Sequence, residues 1–188
     1  MTTADGPGAG YRSDTEALRS LSTTYAFAVD DRDGERFASL FVDSGELLVP
    51  NLPDDVQPVI SRLGRESLRR VPDGLRRYER TFHQVSNDRF SIDGDRATGE
   101  VQCVAHHVMG APNAAGGAAD NAAGDGAGDG AGGAGNRTGI DTVWFIRYLD
   151  DYVRTDRGWR FERRALHLQW VEEHPVSLLP TAANSEPH

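Results

Sequence analysis

The sequence predicts an α+β domain, with helices first and antiparallel strands after. Three observations predict it. Apolar residues recur at helical spacing between residues 13 and 41, the period changes to two from Arg80 onward, and Asp93-Gly94 and Asp156-Arg157-Gly158 are turn signals that join the strands into hairpins.

Each element follows in order. Residues 1–12 carry neither the charged start nor the apolar core of a signal peptide and are expected to be a disordered leader. Ser13 followed by Glu16 is a capping box, and Asp14 adds negative charge at the positive end of the helix dipole. Leu18, Leu21, Tyr25, Ala28 and Val29 then form the buried stripe of a first helix. Asp33 can cap a second, short helix with Phe37, Leu40 and Phe41 as its apolar residues. A short strand is expected at Glu46–Val49, after which Pro50, Pro53 and Pro58 enforce a loop. Leu63 to Tyr78 reads as a helical stretch broken at Val71-Pro72-Asp73-Gly74.

The strands come next: Thr81–Ile92, its hairpin partner Arg96–Met109, then Ile140–Thr155 and Trp159–Val171. Between the second and third lies Gly110–Gly139, almost wholly Gly, Ala, Asp and Asn, which cannot bury a core and is expected to be a floppy insertion. Loop-closure entropy grows only logarithmically with length, so the hairpin tolerates it. The polar tail at 172–188 is expected to be irregular, which leaves 13–171 as the folded domain.

Composition excludes several functions. The net charge of −9 leaves no basic stripe to displace counterions from nucleic acid. No apolar run reaches membrane-spanning length. The single Cys103 rules out an internal disulfide framework and reads as a small buried hydrophobe, and a cytoplasmic protein is the expectation. Every basic side chain other than histidine is arginine, so Schiff-base chemistry and a phosphate-loop lysine are impossible. Arginine does not titrate usefully. Proton transfer therefore falls to Asp, Glu, His, Tyr or Cys.

Two residues stand out among these. Asp30 ends the first helix, where the dipole disfavours a carboxylate and makes a compensating partner worth seeking. His83 shares a strand face with Thr81 and Val85. Facing one another, they form a carboxylate–imidazole pair, the simplest device for moving a proton near neutral pH. The plainer readings are a solvated helix-end aspartate and a structural strand histidine. Of the adjacent His106 and His107, His107 continues the small, apolar face of Ala97, Gly99, Val101, Cys103 and Ala105, while His106 belongs to the wetter face. A zinc site from His83 and His107 has no ligand pair at metal-binding spacing to support it. The third strand puts Trp144, Ile146, Tyr148, Asp150 and Tyr152 on one face. Alternation in the fourth groups Trp159, Phe161, Arg163, Ala165, His167 and Gln169.

Tyr25-x4-Asp30-x-Arg-Asp33, then Phe41, His83-x3-Asn87, Asp93-Gly94-Asp95-Arg-Ala97 and Gly158-Trp159-Arg160-Phe161 resemble the SnoaL-like branch of the nuclear-transport-factor-2-like superfamily. The resemblance implies a cone: a strongly curved antiparallel sheet wrapped around N-terminal helices, a cystatin-like α+β barrel with a ligand cavity at its open end. Within the branch the chain is most similar to the scytalone dehydratase, bile-acid dehydratase and hexachlorocyclohexane dehydrochlorinase group. By that resemblance Asp30 orients His83, which removes a proton from carbon, and Tyr25, His107, Tyr148 and Arg163 bind or polarise substrate. One departure is visible: no tyrosine lies between Tyr25 and Tyr78, so the dehydratase's pair of pocket tyrosines is not reproduced. The implied protein is a cofactor-independent lyase or isomerase acting on a small hydrophobic cyclic substrate. It needs no metal, nucleic acid or membrane and is expected to form a homo-oligomer, a dimer or trimer. The alternative is a ligand-binding or dimerisation module of the same fold.

Overall fold

The computed structural model describes residues 13–110 and 137–179. Helix α1 spans Asp14–Asp30 and α2 spans Gly34–Ser39. Strand β1 (Phe41–Asn51) and strand β2 (Asp55–Leu63) follow, then α3 (Arg65–Arg69) and a 3₁₀ turn at Pro72–Arg77. Strands β3 (Arg80–Asp93), β4 (Arg96–Gly110), β5 (Arg137–Thr155) and β6 (Gly158–Leu178) complete a six-stranded sheet in the order β2-β1-β6-β5-β4-β3. The architecture is α+β with a curved sheet, as the sequence predicts. Within the sheet the β1–β6 pair is parallel and the other pairs are antiparallel. Among the described residues no helix is long and apolar enough to cross a membrane.

The helix ends form as read. The Ser13 amide donates to Glu16 Oε2 at 2.9 Å and the Glu16 amide donates back to Ser13 Oγ at 3.3 Å. Asp33 Oδ1 accepts the Arg36 amide at 2.9 Å and so starts α2. The apolar stripe of α1, including Leu18, Leu21, Tyr25, Ala28 and Val29, packs into the concave face of the sheet and closes one continuous core with Phe37, Phe41, Tyr152 and Phe161. This packing, more than helix propensity, holds α1 in place.

Three expectations need correction. The proline-rich segment after Val49 is a hairpin, with Val49 opposite Ile60 and Leu47 opposite Arg62. Its second strand lies at the sheet edge, where Pro58 removes no ladder bond that the fold requires. The tail is not irregular from Glu172: β6 continues to Leu178, paired to β5 as far as Arg137. Beyond Ala165 no β1 residue pairs with it, so Pro175 is again tolerated on an edge. The insertion's ends, Gly110 and 137–139, belong to strands β4 and β5. The remainder of the insertion, the leader and 180–188 lie outside the described residues.

The largest correction concerns β6. Tyr152 pairs with Phe161 but Asp151 pairs with Arg163, so Glu162 is an extra, bulged residue. A one-residue bulge switches the side chains after it to the other face, until a second bulge at Gln169 switches them back. Arg164 and Leu166 therefore point inward, where simple alternation places Arg163 and Ala165. Asn87 plays the same part in β3, between Ser86 opposite Gln102 and Asp88 opposite Val101, with φ at 37°.

Candidate active site

Helix α1 delivers Asp30 through a Schellman ending. The Asp33 amide donates to Ala28 O at 3.0 Å and the Arg32 amide donates to Val29 O at 3.2 Å, with Arg32 in the left-handed region at φ 60°. The Arg32 guanidinium then turns back over the helix end. Its Nη1 donates to Val29 O at 2.9 Å, Asp30 O at 3.0 Å and Thr81 Oγ1 at 2.6 Å, while Nη2 donates to Leu75 O at 3.2 Å. The positive charge compensates the dipole that Asp30 would otherwise oppose.

Strand β3 supplies the partners. Asp30 Oδ1 lies 2.7 Å from His83 Nδ1 and accepts the Thr81 hydroxyl at 2.8 Å; Oδ2 accepts the His83 amide at 2.8 Å. Burial alone would push the Asp30 carboxyl up, but the hydrogen bonds and charge of His83, with help from Thr81, hold it below the usual carboxylate value. An ionised carboxylate can only accept, so in the uncharged form of the His83 ring the one proton sits on Nδ1. Nε2 is then left with a free lone pair. The His83 side chain is 7% exposed and lines a cavity of ≈ 800 Å³ at the open end of the sheet.

The cavity also takes in Tyr25, His107 and Tyr148. His107 is the inward member of the histidine pair. It packs against Trp144 and Tyr78 at 4.7 and 4.8 Å between ring centroids, and edge-on to His83 at 5.6 Å. Its Nδ1 is 3.2 Å from Thr142 O, and burial, reinforced by nearby His83, pushes its pKa down to about 4. His107 is therefore neutral, with Nδ1–H on the carbonyl and Nε2 as an acceptor. Burial pushes the Tyr25 phenol up to about 12 and Tyr148 well above its ordinary value, so both keep their protons and can donate. Cys103, buried beside Tyr148, is pushed up to about 12 by burial and is not a thiolate.

Arg163 does not join this group. It faces the outer side, 43% exposed, 3.7 Å from Glu46 and 3.9 Å from Asp151. The bulge at Glu162 sends Arg164 inward instead. Arg164 is fully buried, donates to both oxygens of Asp150 at 2.8 and 2.7 Å, and lies under the rings of Tyr25 and Tyr148 at 4.4 and 4.2 Å. One signal points to it: Asp150 shares a strand face with Trp144, Ile146, Tyr148 and Tyr152, and a carboxylate buried among aromatics needs a cation. Thr81 and Arg32 carried no such signal, because a hydroxyl and a helix-end arginine are common on any surface. His106, on the outer face, pairs with Asp141 at 2.6 Å. Among the described residues no three His, Cys, Asp or Glu side chains converge as metal ligands.

The geometry and the sequence agree on a family. The family model for the SnoaL-like domain matches residues 11–165, and the chain belongs to that family. Solved structures similar in fold include a proposed scytalone dehydratase from Novosphingobium aromaticivorans, 18% identical over 93% of this chain and 95% of that one, TM-score 0.58. An NTF2-like protein with a cystatin-like fold from the same organism is 21% identical over 83% and 82%, TM-score 0.52. A hexachlorocyclohexane dehydrochlorinase, LinA-type3, from Novosphingobium barchaimii LL02 is 16% identical over 89% and 93%, TM-score 0.57. At these identities the likeness is one of fold. No curated protein matches the chain.

Proposed function

We propose that the protein is a cofactor-independent lyase or isomerase, dehydratase-like, acting on a small hydrophobic cyclic substrate. His83 is the general base and Asp30 its orienting partner. The observation that carries this reading is the 2.7 Å contact between Asp30 Oδ1 and His83 Nδ1 at the wall of a cavity large enough for a ring system. It supports catalysis over a binding-only module of the same fold, which has no use for an oriented, unprotonated Nε2.

In the proposed step the proton of an activated substrate C–H passes to His83 Nε2. Its electron pair moves toward an adjacent carbonyl, or expels a leaving group from the neighbouring carbon. Asp30 stabilises the imidazolium that forms. Tyr25 and Tyr148 donate to the developing oxyanion, and His107 accepts a hydrogen bond from a substrate hydroxyl through Nε2. The imidazolium then returns its proton to another carbon in an isomerase, or to the departing oxygen in a dehydratase. The reading also places the protein in the cytoplasm, where Cys103 stays reduced, and makes it a homo-oligomer.

A thermal-shift screen of polycyclic phenols, steroids and terpenoid ketones selects ligands, which are then incubated with the protein in D₂O. Wild type is expected to introduce deuterium at carbon, and His83→Ala to lose at least about 100-fold of that rate while keeping its circular dichroism and Tm. Unchanged exchange in His83→Ala would rule the mechanism out.

A further inference from the structure

The wall of the cavity that runs from β2 to the 3₁₀ turn is rich in arginine. Arg62, Arg70 and Arg77 line it, with Glu66 the acidic residue beside them, in a chain of net charge −9. Arg62 is placed there by register. Val49 pairs with Ile60 and Leu47 with Arg62, and Leu47 is buried on the concave face. Arg62 thus stands on the inner face of β2, two residues from Ile60, at a position where alternation calls for an apolar side chain.

Arg62 and Arg77 also lack counterions. Most described arginines lie within 4.0 Å of a carboxylate, including Arg70, which shares Glu66 with Arg69 at 2.8 and 2.9 Å. Among the described residues no carboxylate comes that close to Arg62 or Arg77. Arg77 instead donates to the Tyr78 hydroxyl at 2.9 Å, with its guanidinium 4.8 Å from the centre of that ring. Tyr78 in turn packs on His107. Deeper in, Leu47, Val49, Trp144, Ile146 and Leu166 offer apolar surface.

An apolar floor with two guanidiniums that no carboxylate neutralises selects an amphipathic ligand. Guanidinium is a planar, permanently charged donor suited to paired hydrogen bonds with carboxylate or phosphate, and low-dielectric walls strengthen its field. We propose that the ligand of this cavity is a ring-bearing molecule with an oxyanion substituent, its ring seated against Trp144 and its anion held by Arg62 and Arg77. The inference rests on the reading of the cavity as the substrate site and narrows it from hydrophobic to anionic amphipathic.

The test compares matched probes on the full chain: 2-naphthoate, 2-naphthamide and 2-naphthyl phosphate, titrated calorimetrically at low salt. At least one anion is expected to bind about tenfold tighter than the amide. Which anion binds tighter tells carboxylate from phosphate. The preference is expected to vanish in Arg62→Gln/Arg77→Gln while amide affinity stays unchanged, and to persist in His83→Ala. Equal affinity for all three probes, no binding of any up to millimolar concentration, or a preference that survives in the double variant overturns the proposal. Binding without turnover separates this question from the role of His83. Deuterium exchange tests that role and is indifferent to the result here.

Discussion

At the scale of single residues, burial and hydrogen bonding have separated the protonation states of three groups, two on the cavity wall and one, Asp30, behind His83. Asp30 sits below its ordinary 3.8, His107 is driven to about 4, and the Tyr25 phenol is driven up to about 12. Each shift has a consequence for stability, and the signs differ in reach. His107 takes up a proton near 6.5 when unfolded but only near 4 when folded, so the unfolded state binds more protons between those values. Stability is therefore complete above pH 6.5 and falls as the pH drops toward 4, by roughly 3 kcal/mol for a shift of this size. Asp30 acts lower, since its contribution is present above the ordinary carboxylate value and is lost only as pH falls through its depressed folded value. Urea melts at pH 7 and pH 4 on wild type and His107→Phe check this. The variant is expected to lose about 3 kcal/mol less on acidification. An identical loss in both proteins would mean that His107 titrates normally.

At the scale of elements, the bulges decide which side chains meet. The Glu162 bulge turns Arg164 into the core, where it and Asp150 form a fully buried pair under the phenols. Removing one partner of such a pair is costly, because the other charge stays buried. Arg164→Met is expected to lose about 3–5 kcal/mol by chemical denaturation, and Arg164→Met/Asp150→Leu to recover much of it. A loss below about 1 kcal/mol in the single variant would contradict the pairing. The same bulges explain what the sequence made legible. The period-two pattern turned His107 inward because β4 alternates without a break from Ala97 to His107. For His83 it gave the face shared with Thr81 and Val85, and only the fold shows that this face is the inner one. It misplaced Arg163 because a bulge leaves no mark when the extra residue is an ordinary Glu. Capping residues marked the starts of α1 and α2, since Ser13, Glu16 and Asp33 act locally; α3 starts at Gly64 with no side-chain cap. The β1–β2 hairpin was hidden because prolines read as loop when edge position is unknown. The parallel β1–β6 pair was also invisible, since only the folded chain brings those segments together.

At the scale of the whole molecule, the sheet divides the protein into a concave face that lines the cavity and a convex face that exposes aromatic side chains. Phe82 and Trp170 are 59% and 53% exposed there, and Trp170 stacks on Phe145 at 4.2 Å. Exposed aromatic surface of this kind suits self-association. Sedimentation velocity is expected to find a dimer or trimer that Phe82→Arg/Trp170→Arg converts to monomer; a monomeric wild type would contradict the homo-oligomer. The catalytic reading itself depends on one proton. Long-range ¹H–¹⁵N NMR on the full chain, with His83→Asn to assign the ring, reports where that proton resides at neutral pH. The account predicts a protonated Nδ1 and a bare Nε2 on His83. A His83 ring protonated at Nε2 would contradict it, because the nitrogen facing the cavity could then accept nothing.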